Sequence, residues 1–342
     1  MSKLAVVLFN LGGPDRPESV KPFLFNLFND PAIIGAPRPI RWLLARLISG
    51  RRAPVARAIY ARIGGKSPLL EMTGEQATAL ERLLGTAGEA KVFVAMRYWH
   101  PMSDEVAVAV RAFAPDEIVL LPLYPQYSTT TSGSSLSDWR RAAAAAGIGA
   151  PTVAVCCYPG QPGLIEAQAA LVRAAIGQAA PSGTPRVLFS AHGLPQRIVA
   201  RGDPYVWQVN RTAEAVVAAM DEPGLDWVVC YQSKIGPLAW TGPALDEELA
   251  RAARDRVPVV VNPVAFVSEH SETLVELDIE YRAMAEKLGV PAYVRVPAVG
   301  TADEFVGGLA AVVEAAREQK TGLCSGTGGR LCPAQFGRCP NG

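Results

Sequence analysis

Short apolar runs alternate with longer amphipathic stretches along this chain, and that alternation leaves few architectures open. The runs are Leu4–Phe9, Val92–Met96, Ile118–Leu123, Thr152–Cys156, Arg186–Ser190, Trp227–Tyr231, Val257–Val261 and Ala292–Val296. Most are apolar throughout rather than at every second position. A strand that is apolar on both faces must be covered on both, which suits a parallel sheet between two helix layers. Helix-period stretches stand between the runs: Glu71–Leu84, Ser103–Phe113, Leu164–Ile176, Trp207–Met220 and Ser271–Leu288. The alternation predicts an α/β fold with parallel sheets. Pattern alone leaves open whether the strands form one sheet or two of four.

A last helix is predicted from Thr301-Ala302-Asp303-Glu304, which has the spacing of a capping box, to about Lys320. Beyond it, residues 321–342 are rich in glycine and hold Cys324, Cys332 and Cys339, three of the six cysteines. So short and glycine-rich a segment cannot bury a core of its own. Either something ties it down or it is disordered.

Charge narrows the function. With 33 Lys+Arg against 32 Asp+Glu, the chain lacks the basic excess of a general nucleic-acid binder. No apolar run reaches the roughly 20 residues of a membrane span. Met1 to Asn10 reads as a strand running into a glycine turn and lacks the regions of a signal peptide. The expectation is a cytoplasmic protein. Pro31 to Arg52 mixes apolar and basic residues, which leaves peripheral membrane contact open beside an amphipathic lid or surface helix. Gly12-Gly13-Pro14 is not GxGxxG and has no Walker lysine, so no nucleotide cofactor is predicted. It reads as a tight turn that lets backbone approach a ligand.

Two of the chain's three histidines lie in segments that carry chemistry. His192 ends the apolar run of Phe189-Ser190-Ala191-His192-Gly193-Leu194-Pro195. His270 and Glu272 open a long acidic helix at Ser268-Glu269-His270-Ser271-Glu272-Thr273-Leu274. A neutral imidazole facing carboxylates can accept protons or hold a divalent metal. The C-terminal end of a strand is where α/β proteins place ligands, although an isolated histidine there also suits a core residue bonded to backbone. Glu272, Glu276 and Glu280 recur at spacing four and share one helix face, where like charges cost a few tenths of a kcal/mol per pair. A solvated face explains such a row equally well. His270 sits about 200° round an α-helix from Glu272, which favours a supporting hydrogen bond or an N-terminal structural role over direct ligation.

Seven blocks stand in order along the chain: Asn10-Leu11-Gly12-Gly13-Pro14, Tyr60-Ala61-Arg62-Ile63-Gly64-Gly65-Lys66-Ser67-Pro68, Met96-Arg97-Tyr98-Trp99-His100-Pro101, Tyr124-Pro125-Gln126-Tyr127-Ser128, Ser190-Ala191-His192-Gly193-Leu194-Pro195, Tyr231-Gln232-Ser233-Lys234-Ile235-Gly236-Pro237 and the helix Ser268–Tyr281. Together, over roughly Leu4 to Arg317, the chain resembles the ferrochelatases, which insert ferrous iron into a porphyrin. The resemblance implies two Rossmann-like domains, each with a four-stranded parallel sheet flanked by helices. The first, 1–150, would carry a porphyrin-facing lid at about 20–60 and be completed by the helix 301–320. The second, 151–300, would carry His192 and the acidic helix 268–288, and 321–342 would be a cluster-binding extension.

The resemblance also implies roles. His192 would be the base and an iron contact, with Glu272 its partner in iron binding and His270 in support. Glu276 and Glu280 would form a carboxylate path for metal entry or proton exit, on a helix that is locally π-helical in the family. Leu11, Tyr60, Arg97 and Tyr98 match positions that contact or line the porphyrin. Arg51, Arg52, Ser67 and Gln126 would serve its propionate edge, since arginine's paired donors suit carboxylates; Arg51-Arg52 reads equally as a solvated pair. The substrates implied are protoporphyrin IX and Fe2+, with no nucleic-acid partner. The alternatives are a coproporphyrin III ferrochelatase and a non-catalytic porphyrin- or haem-binding protein on the same scaffold, the latter disfavoured by the presence of both His192 and Glu272.

Members with a cysteine-bearing tail carry a [2Fe–2S] cluster, and the resemblance implies one here on Cys324, Cys332 and Cys339 plus a fourth thiolate. Animal members place that fourth cysteine just after the Tyr-Pro-Gln-Tyr-Ser block, where this chain has Thr129. Cys156 or Cys157 is the substitute, and only one of them, because neighbours on a strand face opposite ways. Zinc lacks its usual CxxC spacing here, and free thiols in a disordered tail are the remaining outcome. A homodimer is expected, as for other tail-bearing members.

Overall fold

The computed structural model describes residues 2–341 except Ala87, Ile235, Pro237 and Thr321. The chain divides into two compact units. One takes the chain up to Tyr158 with Leu309–Leu331 and Asn341; the other takes Pro159–Gly308 and Cys332–Pro340.

The first unit runs β1 (Lys3–Asn10), α1 (Val20–Phe28), α2 (Arg38–Ala61), α3 (Leu69–Leu84), β2 (Glu89–Met96), α4 (Ser103–Phe113), β3 (Glu117–Pro122), α5 (Ser132–Ala146) and β4 (Thr152–Val155). β1 explains the layout. From Ala5 to Phe9 no residue is more than 1% exposed, so the strand must be paired on both edges and covered on both faces. Val6 pairs with Val92 of β2 on one side and Val119 of β3 on the other, both parallel. Val7, Phe9, Val110, Leu120 and Trp139 pack together on one face of the sheet.

The second unit repeats the plan with α6 (Pro162–Ala179), β5 (Arg186–His192), α7 (Gln196–Val199), α8 (Tyr205–Met220), β6 (Trp227–Gln232), α9 (Leu245–Asp255), β7 (Val259–Pro263), a π-helical segment Glu272–Tyr281, α10 (Arg282–Leu288) and β8 (Tyr293–Arg295). β5 is the buried centre. Val187 and Phe189 face a cluster with Val209, Val216 and Val260. Leu188 faces the opposite cluster with Cys230, Leu249 and Val261.

The strand orders are β2-β1-β3-β4 and β6-β5-β7-β8, so each unit lays its second strand on one side of the first and its third on the other. Where the winding reverses, the loops leaving the C-terminal ends of the central strands diverge and open a crevice. His192 ends β5 and Asn10 ends β1, so both chemical segments exit at such points.

The first sheet departs from the expected four strands. After α11 (Asp303–Glu318), the tail supplies β9 (Gly322–Cys324), a fifth strand parallel to β4 with Val153 opposite Gly322 and Val155 opposite Cys324. The tail is therefore tied down by an open sheet edge rather than disordered. Cys156 N–H donates to the Cys324 carbonyl at 2.8 Å and Gly326 N–H to that of Cys157 at 2.8 Å. In the second unit, Phe336 packs against Trp207 with ring centroids 5.9 Å apart, and Arg338 N–H reaches the Gly202 carbonyl at 3.1 Å.

The acidic stretch expected as one helix from Ser271 to Leu288 is in two parts, π-helical to Tyr281 and α-helical beyond. The expected lid at about 20–60 consists of α1 and α2. α2 leaves Ile40, Trp42, Leu43, Leu47 and Val55 exposed. Among the described residues no helix is long and apolar enough to cross a membrane.

The tail's seat can be tested. A Cβ on Gly326 would lie 2.7 Å from that of Tyr158, so a side chain there overpacks the contact by about 1–3 kcal/mol. Gly326→Val is expected to speed tryptic cleavage at Arg330 roughly tenfold or more while the rest of the chain resists; unchanged cleavage would show that this contact does not hold the tail.

Candidate functional site

The second unit's site is built from the C-terminal ends of three strands. β5 is buried from Arg186 to Ala191 and delivers His192, half-buried, as its last residue. Gly193 follows, its N–H bonded to the Gln232 carbonyl at 3.0 Å, which pins the exit of β5 to that of β6. Ser190 Oγ donates to Gln232 Oε1 at 2.8 Å and so orients that amide. Ser233, next along, takes φ 65°, a left-handed conformation that costs a non-glycine residue energy. The turn aims Ser233 at the π-helical segment: its N–H donates to Glu276 Oε1 at 2.9 Å and its Oγ to Glu276 Oε2 at 2.5 Å.

His192 Nδ1 lies 2.9 Å from Glu272 Oε2, with side chains 37% and 26% exposed. A carboxylate only accepts, so Nδ1 carries a proton, and in the neutral imidazole Nε2 is then the nitrogen with the lone pair. Burial disfavours a charged imidazole at His192, but the Glu272 carboxylate outweighs it and raises the pKa above its ordinary value. Burial likewise works against the Glu272 carboxylate, yet His192 overcomes it and brings the pKa down to about 2. Glu276 goes the other way: burial, then repulsion from Glu272, push it up to about 7. The site thus holds one permanent anion, Glu272, an imidazole whose charged form that anion favours, and one carboxyl, Glu276, that exchanges a proton near neutrality.

His270 does not join by a hydrogen bond. Its Nε2 is 3.9 Å from Glu272 Oε2, its ring packs on Phe266 at 4.5 Å, and its buried Nδ1 has no partner. Burial lowers its pKa, so it stands beside the pair as a neutral ring. Glu280 lies exposed near the end of the π-helical segment.

In the first unit, Leu11, Tyr60 and Tyr98 share one apolar cluster with Val20, Phe23 and Leu24. Arg97 and Tyr98 meet at a residue that the sequence did not single out. Asp30, its side chain 2% exposed, accepts from Arg97 Nη2 at 2.9 Å, from the Tyr98 hydroxyl at 2.7 Å and from Ser134 Oγ. Arg97 Nε also donates to Ser134 Oγ at 2.7 Å. Asp30, Arg97 and Ser134 border a cavity of about 440 Å³ lined also by Thr129, Asp138 and Arg141. The Asp30–Arg97 contact spans 67 residues, and no local signal announces it. Ser233 stands in the sequence block Tyr231-Gln232-Ser233-Lys234-Ile235-Gly236-Pro237, which by itself assigns it no role.

Of the residues expected at a propionate edge, Arg51 and Arg52 are exposed on α2, whereas Gln126 is buried, 1% exposed. Ser67 meets the glycine turn: a Cβ on Gly13 would fall 2.5 Å from its side chain. What Gly13 admits is thus Ser67 of the chain itself.

The cysteines correct one expectation. Cys156 and Cys157 do not face opposite ways; their sulfurs are 3.3 Å apart. β4 ends at Val155, so the two-residue alternation no longer applies. Cys324, Cys332 and Cys339 are buried thiols outside any disulfide, and Gln208 Nε2 donates to Cys332 Sγ at 3.1 Å. Among the described residues, however, no three His, Cys, Asp or Glu side chains gather into a metal-holding group. In kind, buried thiols are the donors that an iron–sulfur cluster takes.

A family model described as Ferrochelatase matches residues 3–317. The ferrochelatase of Phenylobacterium zucineum is 55% identical over 340 residues, covering 98% of this chain and 97% of that one. That of Caulobacter vibrioides is 54% identical over 341 residues, covering 99% and 97%. Among solved structures, SirB from Bacillus subtilis with Fe3+ is similar at a TM-score of 0.54 and 12% identity, over 94% of this chain and 99% of that one. This last likeness is one of fold.

The Glu276 environment has a consequence for stability. The folded chain holds this proton more tightly than the unfolded one, so Glu276 stabilises the fold below about 4.5 and that contribution is lost as pH rises through about 7. The melting temperature of Glu276→Gln, relative to the native chain, is therefore expected to rise between about pH 5 and pH 8. A constant difference would show that Glu276 titrates normally.

Proposed function

We propose that this chain, which belongs to the ferrochelatase family, inserts Fe2+ into protoporphyrin IX with His192 as base. It is a porphyrin metal chelatase, a lyase of haem biosynthesis. The observation that carries the assignment of roles is the His192–Glu272 pair, 2.9 Å apart at the end of the central strand β5, with Glu276 alongside.

Insertion makes three demands. The macrocycle must bend to expose its nitrogen lone pairs, two pyrrole protons must leave, and a hydrated ferrous ion must shed water and arrive. His192 Nε2 takes a pyrrole proton while Glu272 holds Nδ1 and stabilises the resulting imidazolium. Glu276, with a pKa near 7, relays protons outward and hands iron inward, with Glu280 further along the same segment. Two protein donors rather than a closed set of four suit a metal that must leave for the porphyrin, since a filled coordination shell would retain it. Leu11, Tyr60 and Tyr98 supply apolar wall, and Arg97 holds it in place through Asp30. Ser67, Gln126, Arg51 and Arg52 are assigned to the propionate edge.

The buried thiols of Cys156 or Cys157 with Cys324, Cys332 and Cys339 are read as ligands of a [2Fe–2S] cluster, which would act as a structural tie or sensor apart from the insertion chemistry. An anaerobic preparation without iron, sulfide or visible absorbance beyond porphyrin would overturn that reading. We place the chain in the cytoplasm as a homodimer, touching a membrane through α2. There Arg38, Arg41, Arg46, Arg51 and Arg52 accompany the exposed Trp42, Leu43 and Leu47, a composition suited to anionic headgroups.

The deciding experiment is anaerobic iron insertion into protoporphyrin IX and coproporphyrin III. Protoporphyrin is expected to be preferred; a preference for coproporphyrin would keep the reaction and change the substrate. His192→Ala is expected to lower kcat by roughly 10²–10⁴-fold with porphyrin affinity nearly unchanged. Normal turnover would remove His192 from the mechanism.

A further inference from the structure

A ten-residue π-helix is an unusual object. Such helices occur mostly as single turns inside α-helices, and a longer one must be held by contacts that an α-helix of the same sequence would not make. Here the contacts come from β8. Arg295 donates through Nε and Nη2 to both carboxylate oxygens of Asp278, at 2.8 and 2.7 Å. Its Nη1 donates to Glu269 Oε1 at 2.6 Å. The arginine is 11% exposed and Glu269 14%. Glu269 is held a second time by the Ala298 N–H at 2.9 Å. Two residues before Arg295 on the same strand, the Tyr293 hydroxyl donates to the Leu277 carbonyl inside the segment at 2.8 Å.

The placement of these partners matters. Glu269 lies before Glu272 and Asp278 lies after Glu276, so one guanidinium grips the chain on both sides of the two carboxylates. Relaxation of the segment by one residue would turn each side chain by about 100° and carry Glu272 away from His192. Arg295 also stands on the sheet that carries His192. It pairs with Val261 of β7, and Val261 pairs with Leu188 of β5. Histidine and clamp are thus registered by one set of backbone hydrogen bonds, the rigid support that a site with angular tolerances of 10–20° requires.

We propose that Arg295 is a positioning residue for metal insertion: by bridging Asp278 and Glu269 it keeps the π-helical segment in the register that sets Glu272 against His192. This rests on the reading of His192 and Glu272 given above. Lysine cannot replace it, because a single ammonium lacks the fork needed to hold both carboxylates at once.

The test uses the full chain and measures kcat, the KM for Fe2+ and the KM for porphyrin. Arg295→Gln is expected to lower kcat/KM for Fe2+ by roughly 10–100-fold, the range for groups that orient metal ligands, mainly through the iron KM, with the porphyrin KM within about twofold. Arg295→Lys is expected to recover only part of this. Asp278→Asn keeps the side-chain volume and is expected to shift the iron KM the same way; it decides the matter if Arg295→Gln does not fold. Native iron kinetics in a folded variant would overturn the proposal. So would a fall in kcat alone, with both KM values unmoved, since that reports only a smaller active fraction. A native chain that inserts no metal would instead overturn the proposed function, so the two failures are distinct.

Discussion

The structure depends on the burial of β1 and β5 on both faces. Each is buried over nearly its full length, and neither can meet its backbone hydrogen bonds except by pairing on both edges. Parallel pairing then dictates helical crossovers, and the crossovers place all connections of one kind at the same end of the sheet. The chemical groups collect at the C-terminal ends for this reason. His192 lies at the end of β5, Ser233 just past β6 and Glu272 in the connection after β7. Their proximity follows from the sheet.

On that frame the site is arranged by electrostatics. Glu272 and Glu276 repel each other, and the repulsion is divided unequally. His192 takes up the charge of Glu272, while Glu276 is left to bind a proton. Ser233 softens the imbalance with two hydrogen bonds, at the expense of a left-handed backbone. Asp30 in the first unit shows the opposite arrangement: a buried carboxylate fully met by an arginine, a tyrosine and a serine. There the carboxylate's partners all come from within the cluster, whereas the His192–Glu272 contact engages only Nδ1 of the imidazole.

Much of this was legible beforehand. All eight apolar runs became strands within a few residues, because a fully buried strand declares itself by composition. The motif around His192 and the acidic stretch after Ser268 hold the two residues that meet at 2.9 Å. The fifth strand was not legible: Gly322–Cys324 has no strand signal of its own and is extended only because β4 offers an open edge. The side-by-side thiols of Cys156 and Cys157 also ran against expectation, since a strand ending one residue sooner cancels the alternation. Asp30 was missed because its partners lie far along the chain.

What the sequence determined by itself is whatever short-range physics specifies: the α/β alternation, the central position of the most apolar strands, the family, and which residue types could exchange protons or meet a metal. What only the tertiary structure decided is which of those groups face one another. The 2.9 Å contact of His192 with Glu272, the grip of Arg295 on Asp278 and Glu269 and the seating of the tail against β4 all join segments distant in the chain. Such contacts are set by strand order and register, which the pattern of apolar residues constrains only as a whole.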